Sequence, residues 1–238
     1  MEVSSLHVEK IPNKEAKPWI LQRHYAHRMP CIEWAFGLFN EKVCVGIVTY
    51  GTPASAPLRT GICGPKYKVL ELNRLCLSDS AGKNAASKLI ATSLKQLPPC
   101  VVVSYADTSY GHIGYVYQAT NWIYTGLSAK RTDWHVKGLE GLHGQTIADK
   151  TRGMPDRAST IRAMYGNDFS LVDRPRKHRY VYFVGSKRTR KKMKQALRYA
   201  ILPYPKGETA RYDTSEPIYT QTLLFGQRSR PPTGGKGI

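Results

Sequence analysis

Residues 101–128, VVVSYADTSYGHIGYVYQATNWIYTGLS, constrain the fold most strongly, because they predict a strand, a tight turn, a short helix and a second strand in succession. The apolar run at 101–105 consists of β-branched and aromatic residues, which is typical of a buried strand. Gly111 and Gly114 then predict a turn. From this turn onward, four residues recur at helical spacing, namely Ile113, Val116, Tyr117 and Thr120. The second strand begins at Trp122, so we expect a compact strand–helix–strand unit.

The other segments also alternate between strand-like and helix-like patterns. The predicted elements are a helix at 14–28, a hairpin at 34–50, a long loop at 52–66, a strand at 69–77, a helix at 84–97, an irregular polar stretch at 129–172, a weak strand at 177–185, a basic helix at 187–202 and a flexible tail at 226–238. Such an order predicts an α/β (α+β) fold built on one mixed sheet.

The net charge of +19 indicates the kind of partner. It arises from 36 Lys and Arg residues against 17 Asp and Glu residues. Such an excess favours a polyanion, with nucleic acid ahead of an acidic membrane surface. No apolar run is long enough to span a bilayer, and residues 1–10 lack the pattern of a secretory signal. We therefore expect a cytoplasmic protein that binds nucleic acid.

The five cysteines do not predict a disulfide framework or a zinc ribbon, because they are widely spaced and odd in number. Cys44, Cys76 and Cys100 lie in apolar runs, so we expect them to be small core residues rather than nucleophiles.

Arg74 is an unusual residue for the middle of the apolar strand at 69–77. By strand alternation it would share a face with Leu70, Leu72 and Cys76, where it needs an anionic partner. A substrate phosphate, a carboxylate or Asp107 could serve, and purely structural pairing is the alternative. Its neighbour Asn73 would lie on the other face.

Polar side chains at the end of the strand at 101–105 are candidates for chemistry, because ligands often bind off the carboxyl ends of strands. Ser104 and Asp107 lie there. Asp107 suits either a general base or the N-cap of the following turn, and the sequence leaves both open. A lone histidine such as His24 is more often structural or exposed, but its helix face is shared with Ile20, which favours an inward position; Tyr25 follows it in sequence. No tight spacing of His, Cys or carboxylates indicates a metal site.

Eleven Lys or Arg residues between 174 and 198, with no acid among them, predict a nucleic-acid contact. Tyrosines and a phenylalanine are interleaved with them, which suits phosphate contact combined with base stacking. The candidate contacts are Arg131, Trp134, Arg176, Lys177, Arg179, Lys187, Arg188, Arg190, Lys191 and Lys192. Residues 129–152, with Trp122 and Trp134, are further predicted to form the rim of a substrate pocket.

The strand–helix–strand unit at 101–128 resembles the second half of GNAT acyltransferases, whose helix tyrosine often acts as a general acid near the thioester. That resemblance implies a mostly antiparallel mixed sheet flanked by helices, a catalytic domain over 1–185, and a basic helix with a tail over 186–238. It places Tyr117 as the acid and assigns donor binding to Lys83, Asn84 and Ser87 at the start of the helix at 84–97, and the remaining candidates for substrate or donor binding are Asn73 and Arg74. An ordinary capped helix is the alternative there, and Asp79 argues against a standard coenzyme A site.

Across residues 23–183 the chain resembles the Mom DNA-modification proteins of Mu-like phages. The most specific segments are ELNRL and SYADTSYGHIGYVYQATN. The resemblance implies conversion of adenine to N6-(carbamoylmethyl)adenine, which protects phage DNA from restriction. The residues that would surround the active centre are His24, Tyr25, Arg74, Ser104, Asp107 and Tyr117.

The acyl donor stays open between acetyl-CoA and an activated glycine such as glycyl-tRNA, since a glycyl group is an isomer of a carbamoylmethyl group. The target adenine must leave the duplex to react. Two other functions remain possible: an acetyltransferase that uses acetyl-CoA on a protein or small amine, and a nucleic-acid-binding protein without enzymatic activity. The oligomeric state and any metal requirement are not indicated.

Overall fold

The computed structural model describes residues 6–140, 142 and 144–207, so the predicted tail at 226–238 lies outside the described residues. The strands are β1 Leu6–Lys10, β2 Trp34–Asn40, β3 Val43–Gly51, β4 Val69–Leu77, β5 Cys100–Asp107, β6 Ile123–Leu127, β7 Arg131–Val136, β8 Phe169–Arg174 and β9 Lys177–Val184. The α-helices are α1 Asn13–Pro18, α2 Ala56–Gly61, α3 Ala85–Leu94, α4 Tyr115–Ala119, α5 Gly144–Asp149, α6 Arg157–Tyr165 and α7 Lys187–Gln195. A π-helical turn, Trp19–Arg23, follows α1.

A seven-stranded sheet in the order β1-β2-β3-β4-β5-β9-β6 organises the molecule. Every neighbouring pair is antiparallel except β4 and β5. The predicted mixed, mostly antiparallel sheet flanked by helices is therefore confirmed. The weak strand predicted near 177–185 is β9, and it lies inside the sheet between β5 and β6.

Hydrophobic layers cover both faces of this sheet. Val102 packs on the face covered by α3 and α4, together with Leu70 and Leu89. Val101 and Val103 point the other way, toward the layer that holds Met193 of α7. Because β5 is buried on both faces, its sequence reads as a continuous apolar run.

The parallel strands β4 and β5 pair over only three residues each. Val69–Glu71 of β4 lies beside Val101–Val103 of β5, and the pairing stops there. Both strands continue further, β4 to Leu77 and β5 to Asp107, so they separate at that end. This separation opens the centre of the sheet and determines where a ligand can enter.

A β-bulge in β4 changes the side-chain alternation. Thr49 pairs with Arg74 and Tyr50 pairs with Leu72, which leaves Asn73 as the extra residue. Leu72 therefore packs against α3, whereas Cys76 packs with the α1 layer. The prediction that Cys76 shares a face with Leu70 and Leu72 is wrong, because simple alternation assumes an unbroken ladder.

The predicted helix at 14–28 ends at Arg23. Pro18 has no amide N–H to donate within α1, and the helix widens into a π-turn directly after it. His24 then takes an extended conformation with ψ 132°. It is nevertheless buried, as Ile20 is.

The predicted helix at 187–202 ends at Gln195 because tertiary contacts redirect the chain. The amide of Arg198 donates to the carbonyl of Ile62 and the amide of Leu202 donates to that of Tyr124. The Tyr199 ring meanwhile lies under the guanidinium of Arg179 at 3.5 Å. The chain thus wraps around the β6 edge of the sheet instead of continuing the helix.

Two predicted irregular stretches contain regular structure. The stretch at 129–172 holds β7 and β8, which pair antiparallel as a separate two-stranded sheet, together with α5 and α6. Its small core of Val136, Ile147 and Ile161 is too sparse in sequence to produce a visible period. The loop at 52–66 contains the short helix α2. No helix in the described part of the chain has the length and hydropathy that crossing a bilayer requires.

Candidate active site

A cavity of about 400 Å³ opens where β4 and β5 separate. Five segments contribute to its walls: the segment after the π-turn, β4 beyond the last paired residue, the end of β5, the turn into α4 with α4 itself, and the N-terminus of α3. The polar and aromatic residues that line it are His24, Tyr25, Asn73, Arg74, Asn84, Ser104, Tyr105, His112, Tyr115 and Tyr117. The structure therefore brings together most of the residues that the sequence selected for catalysis and donor binding.

Tyr117 and Ser104 form a hydroxyl pair on one wall of this cavity. Their oxygens lie 2.8 Å apart, and the Ser104 oxygen lies 2.9 Å from the carbonyl oxygen of Leu72. The Ser104 hydroxyl is the donor in both contacts, so its single O–H lies between the carbonyl oxygen of Leu72 and the hydroxyl oxygen of Tyr117. If Tyr117 released its proton, the Ser104 hydroxyl could rotate and donate to the phenolate. The same Ser104–Leu72 bond bridges β4 and β5 just beyond their last backbone pair.

Burial raises the pKa of Tyr117 to about 12. The hydrogen bond from Ser104 lowers this pKa, and the nearby charge of Glu71 raises it further. The hydroxyl is therefore protonated at neutral pH and can act as an acid rather than a base. The ring is held between two aromatic neighbours, Trp122 at 5.1 Å and Tyr180 at 5.2 Å. Its position is fixed by packing on both sides.

Gly114 is required for this placement of Tyr117. It has a left-handed φ of +78° and begins α4. A Cβ on this residue would lie 2.3 Å from the ring of Tyr180, which is itself fully buried. Only glycine combines this conformation with this close approach.

His24 forms part of the opposite wall as a neutral imidazole. Burial, followed by the nearby charge of Arg74, holds its pKa well below the ordinary value. Its Nδ1 accepts the amide N–H of Ala26 at 3.1 Å, so the proton of the neutral ring is on Nε2. In this tautomer His24 can donate a hydrogen bond to a developing negative charge.

We expect His24 to make the protein less stable in mild acid. Unfolded His24 binds a proton below about pH 6.5, and the buried ring does not, so the free energy of unfolding falls as the pH falls through that range. The loss can reach about 2 kcal/mol at pH 5. Denaturant unfolding of the wild type and of His24→Gln at pH 7 and pH 5 measures it. The variant should lose less stability, and equal losses in both proteins would contradict a buried neutral histidine.

Asp107 lies at the end of β5 and is almost fully buried, but it does not line the cavity. One carboxylate oxygen accepts the amide and the hydroxyl of Ser109, at 3.1 and 2.6 Å. The other lies 2.6 Å from the ammonium of Lys177. Burial alone would raise the pKa of Asp107, but the bonds from Lys177 and Ser109 outweigh it and hold the pKa below the ordinary value. Of the two roles left open by the sequence, this geometry favours the cap.

The variant Asp107→Asn distinguishes the cap from a general base. Asparagine is as good an N-cap as aspartate, so a capping residue should tolerate the change and retain most of the activity. Loss of a general base would instead lower the rate about 10²- to 10⁴-fold. The rate of DNA modification by the variant is the measurement. Asp107→Ala, which removes cap and charge together, provides the comparison.

Arg74 and Asn73 also hold the cavity wall in shape. The guanidinium of Arg74 donates to the backbone carbonyls of Asn73 and Arg28, both at 2.6 Å. The Asn73 amide donates to the carbonyl of Cys31 at 2.8 Å and accepts the hydroxyl of Thr49 at 2.6 Å. Both side chains therefore attach the segment after the π-turn to the bulged strand.

The N-terminus of α3 forms the far end of the cavity. Gly82, Asn84, Ala85 and Ala86 line it, whereas Lys83 and Ser87 do not. Asn84 has a left-handed φ of +65° and makes no side-chain cap, and Ser87 donates to the carbonyl of Asn84. First-turn amides of a helix of this length favour an anion. This end suits the phosphate of a donor.

Four polar or aromatic residues at or beside the cavity were not selected from the sequence. His112, Tyr105 and Tyr115 line it. Glu71 is the last paired residue of β4 before the strands separate, and burial raises its pKa against the charges of Arg74 and Lys177. A carboxylate inside an apolar strand was the available signal for Glu71, since such a residue needs a reason to be there.

The predicted nucleic-acid contacts divide into two groups. In the first group the side chains are exposed, as they are for Arg131 and Arg176. The exposed basic residues of α7 are Lys187, Arg188, Arg190, Lys191, Lys192 and Lys194. By contrast, Lys177 pairs with Asp107, and Arg179 lies over the Tyr199 ring.

The two tryptophans predicted at the pocket rim do not line the cavity. Trp122 is fully buried in the main core, so the prediction is wrong for it. Trp134 packs edge-on against Phe169 in the small sheet, with the guanidinium of Arg157 over its ring.

All five cysteines are free, and of the three predicted core cysteines Cys76 and Cys100 are buried, whereas Cys44 is only half-buried. Within the described ranges, no group of three or more His, Cys, Asp or Glu side chains is placed to hold a metal ion.

Comparison with known proteins identifies relatives of this chain. The model of the Mom protein family matches residues 5–206. The methylcarbamoylase mom of Escherichia phage Mu is 32% identical over 210 residues, which cover 84% of each chain.

Among solved structures, a GNAT family acetyltransferase from Bacillus cereus ATCC 10987 aligns with a TM-score of 0.40 and 12% identity over 76% of this chain and 99% of its own. The ribosomal-protein-S18-alanine N-acetyltransferase from Escherichia coli aligns with a TM-score of 0.40 and 5% identity, over 76% and 95% of the two chains.

Proposed function

The chain belongs to the Mom protein family, and on that premise we propose that it is a DNA-modifying transferase whose reaction takes place in the cavity between β4 and β5. The proposed product is N6-(carbamoylmethyl)adenine, and the proposed role is protection of phage DNA from host restriction inside the host cytoplasm. The observation that carries the proposal is the hydroxyl pair of Tyr117 and Ser104 on the cavity wall. The name of the phage Mu relative, methylcarbamoylase, supports transfer of a group with the atoms of a carbamoylmethyl group.

The proposed first step is acyl transfer to the exocyclic amine of adenine. The amine nitrogen forms a bond to the acyl carbon, and the bond from that carbon to the leaving oxygen or sulfur breaks. Tyr117 supplies the proton that the leaving atom needs, and Ser104 then donates to the phenolate. His24 donates from Nε2 to the developing oxyanion. Glu71 is the candidate to take the proton lost by the amine, directly or through one water.

We propose an activated glycine, such as glycyl-tRNA, as the donor. Glycyl transfer gives adenine–NH–CO–CH2–NH2, which has the same atoms as the carbamoylmethyl product. The free amine can then attack C6 of the purine while the original C6–N6 bond breaks. The original nitrogen becomes the carboxamide, and no oxidant or further reactant is needed. A donor that carries phosphates near its acyl group suits the α3 end of the cavity, and the net charge of +19 suits two nucleic acids.

Labelled donors distinguish the glycyl donor from acetyl-CoA. The purified chain is incubated with plasmid DNA and either tRNA charged with ¹³C-glycine or ¹³C-acetyl-CoA, and the nucleosides are analysed by mass. We expect label in modified deoxyadenosine only from the glycyl donor, with both glycine carbons retained. Label from acetyl-CoA would reject the glycyl donor and favour the acetyltransferase alternative.

Restriction protection tests the biological role. Plasmid isolated from cells that express the chain should resist endonucleases whose sites contain adenine, and plasmid from cells that express Tyr117→Phe should be cut. Full cleavage of both plasmids, with the protein present in both cultures, would reject the protective role.

A further inference from the structure

Four aromatic rings form a continuous cluster from the cavity wall to the surface. His24 stacks on Tyr25 with ring centres 4.4 Å apart. Tyr25 contacts Tyr110 at 4.6 Å, and Tyr110 stacks on His112 at 6.0 Å with 27° between the ring planes. Tyr25, His24 and His112 line the cavity, whereas Tyr110 lies outside the lining and is 44% exposed. We call these four residues the aromatic cluster.

The outer ring of the cluster is presented by an ordered turn. Tyr110 ends the 3-10 turn Thr108–Tyr110, which Asp107 caps through Ser109. Gly111 follows with a left-handed φ of +66°, and the amide of His112 donates back to the carbonyl of Asp107. A ring held in this way loses little conformational freedom when something stacks on it.

Positive charge borders the same turn. The hydroxyl of Thr108 donates to the carbonyl of Arg176 at 2.5 Å, so the turn is attached to the strand connection that carries this exposed arginine. The ammonium of Lys177 is paired with Asp107 beside this turn, so the exposed Arg176 supplies the positive charge here. An exposed aromatic face beside basic side chains is the combination that binds nucleotides, because the ring stacks on the base while the cations attract the phosphates.

We propose that Tyr110, backed by Tyr25 and His112, is the stacking platform that receives the target adenine when it leaves the duplex. The proposal rests on the proposed function and adds the residues that hold the acceptor. An extruded base is normally held by stacking against aromatic side chains. The cluster ends in the cavity wall, so a base stacked on Tyr110 lies at the entrance to the reacting groups. A cavity of about 400 Å³ has room for a purine together with a short acyl group.

Binding to DNA without any donor tests the platform separately from the reaction. Two duplexes of the same sequence are compared, one fully paired and one with a single unpaired adenine. Wild type, Tyr110→Phe and Tyr110→Leu are titrated with each, and thermal melting of the three proteins verifies folding. Stacking on one aromatic ring corresponds to roughly a 5- to 150-fold change in affinity.

We expect the wild type and Tyr110→Phe to prefer the unpaired adenine, and Tyr110→Leu to lose that preference while binding the paired duplex as before. If Tyr110→Leu keeps the preference, or if the wild type shows none, the platform is overturned. Equal weakening on both duplexes would also overturn it, since that result indicates a general loss of DNA contact. All of these outcomes concern DNA binding without a donor, so they do not depend on the transfer reaction. The nucleoside and restriction measurements test that reaction separately.

Discussion

The variant Tyr117→Phe should modify DNA about 10²- to 10⁴-fold more slowly than the wild type. The substitution removes only the hydroxyl, which contacts Ser104 at 2.8 Å, and leaves the ring between Trp122 and Tyr180. Without the Tyr117 hydroxyl, no acid protonates the leaving group. Ser104 then also has no phenolate to which it can donate a hydrogen bond. The rate is measured as restriction protection of a plasmid over a time course after induction.

Tyr124→Phe is the matched control for this variant. Tyr124 is also buried, and its hydroxyl also has one side-chain partner, His178 at 2.8 Å, but it does not line the cavity. We expect Tyr124→Phe to keep a rate within a few-fold of the wild type. If both variants slow equally, the loss reflects a disturbed core rather than a missing acid. A Tyr117→Phe protein with the wild-type rate would remove Tyr117 from the mechanism.

Neutralising the exposed face of α7 should produce the second large effect. Replacing Arg188, Arg190, Lys191 and Lys192 by glutamine keeps the helix propensity and removes four positive charges. Within the described residues, none of these side chains has an ion-pair partner, so they are available to phosphates. If all four contact DNA, affinity near 0.1 M salt should fall on the order of 10³-fold. The slope of log K against log salt should become shallower by about 0.9 per lost contact.

A charge-matched variant controls for net charge alone. Lys14, Lys17, Lys42 and Lys95 are exposed on other parts of the molecule, and replacing them by glutamine removes the same number of charges. This control should change the salt slope little. If the two variants weaken binding equally, DNA is attracted by the overall charge of +19, and α7 is not a specific contact surface.

The sequence was sufficient to predict the segments with strong local signals. The continuous apolar run of β5, the strand residues of the β2–β3 hairpin and the helical stripe of α3 are each a strong local signal, and the structure confirms these elements. The structure also places together Ser104, Tyr117, His24, Tyr25 and Arg74, which the sequence had selected one by one.

Local patterns failed where tertiary contacts decide the structure. The last turns predicted for α7 are absent because Arg198 and Leu202 bond to distant backbone groups. The small sheet of β7 and β8 is stabilised by few apolar residues that show no period. Likewise, the bulge at Asn73 reverses the faces to which the later side chains of β4 point, and no residue in VLELNRLCL predicts this bulge.

The role of Asp107 illustrates the same limit within the site. The position at the end of β5 is correct, but the sequence could not reveal the ion pair with Lys177, which lies on β9 and pairs directly opposite it. His112, Tyr105 and Glu71 were missed for a similar reason. Tyr105 lines the cavity because β4 and β5 separate after three residues, whereas Glu71 lies beside the cavity as the last paired residue and His112 reaches it from the turn into α4.

Mass analysis of nucleosides from plasmid DNA co-expressed with this chain tests the central claim most directly, with Tyr117→Phe and Tyr124→Phe beside the wild type. The account predicts a deoxyadenosine species heavier by one carbamoylmethyl group in the wild-type and Tyr124→Phe samples, and its near absence with Tyr117→Phe. Unmodified adenine in the wild-type sample, despite folded protein that binds the DNA, would contradict the claim that this cavity transfers a group to adenine.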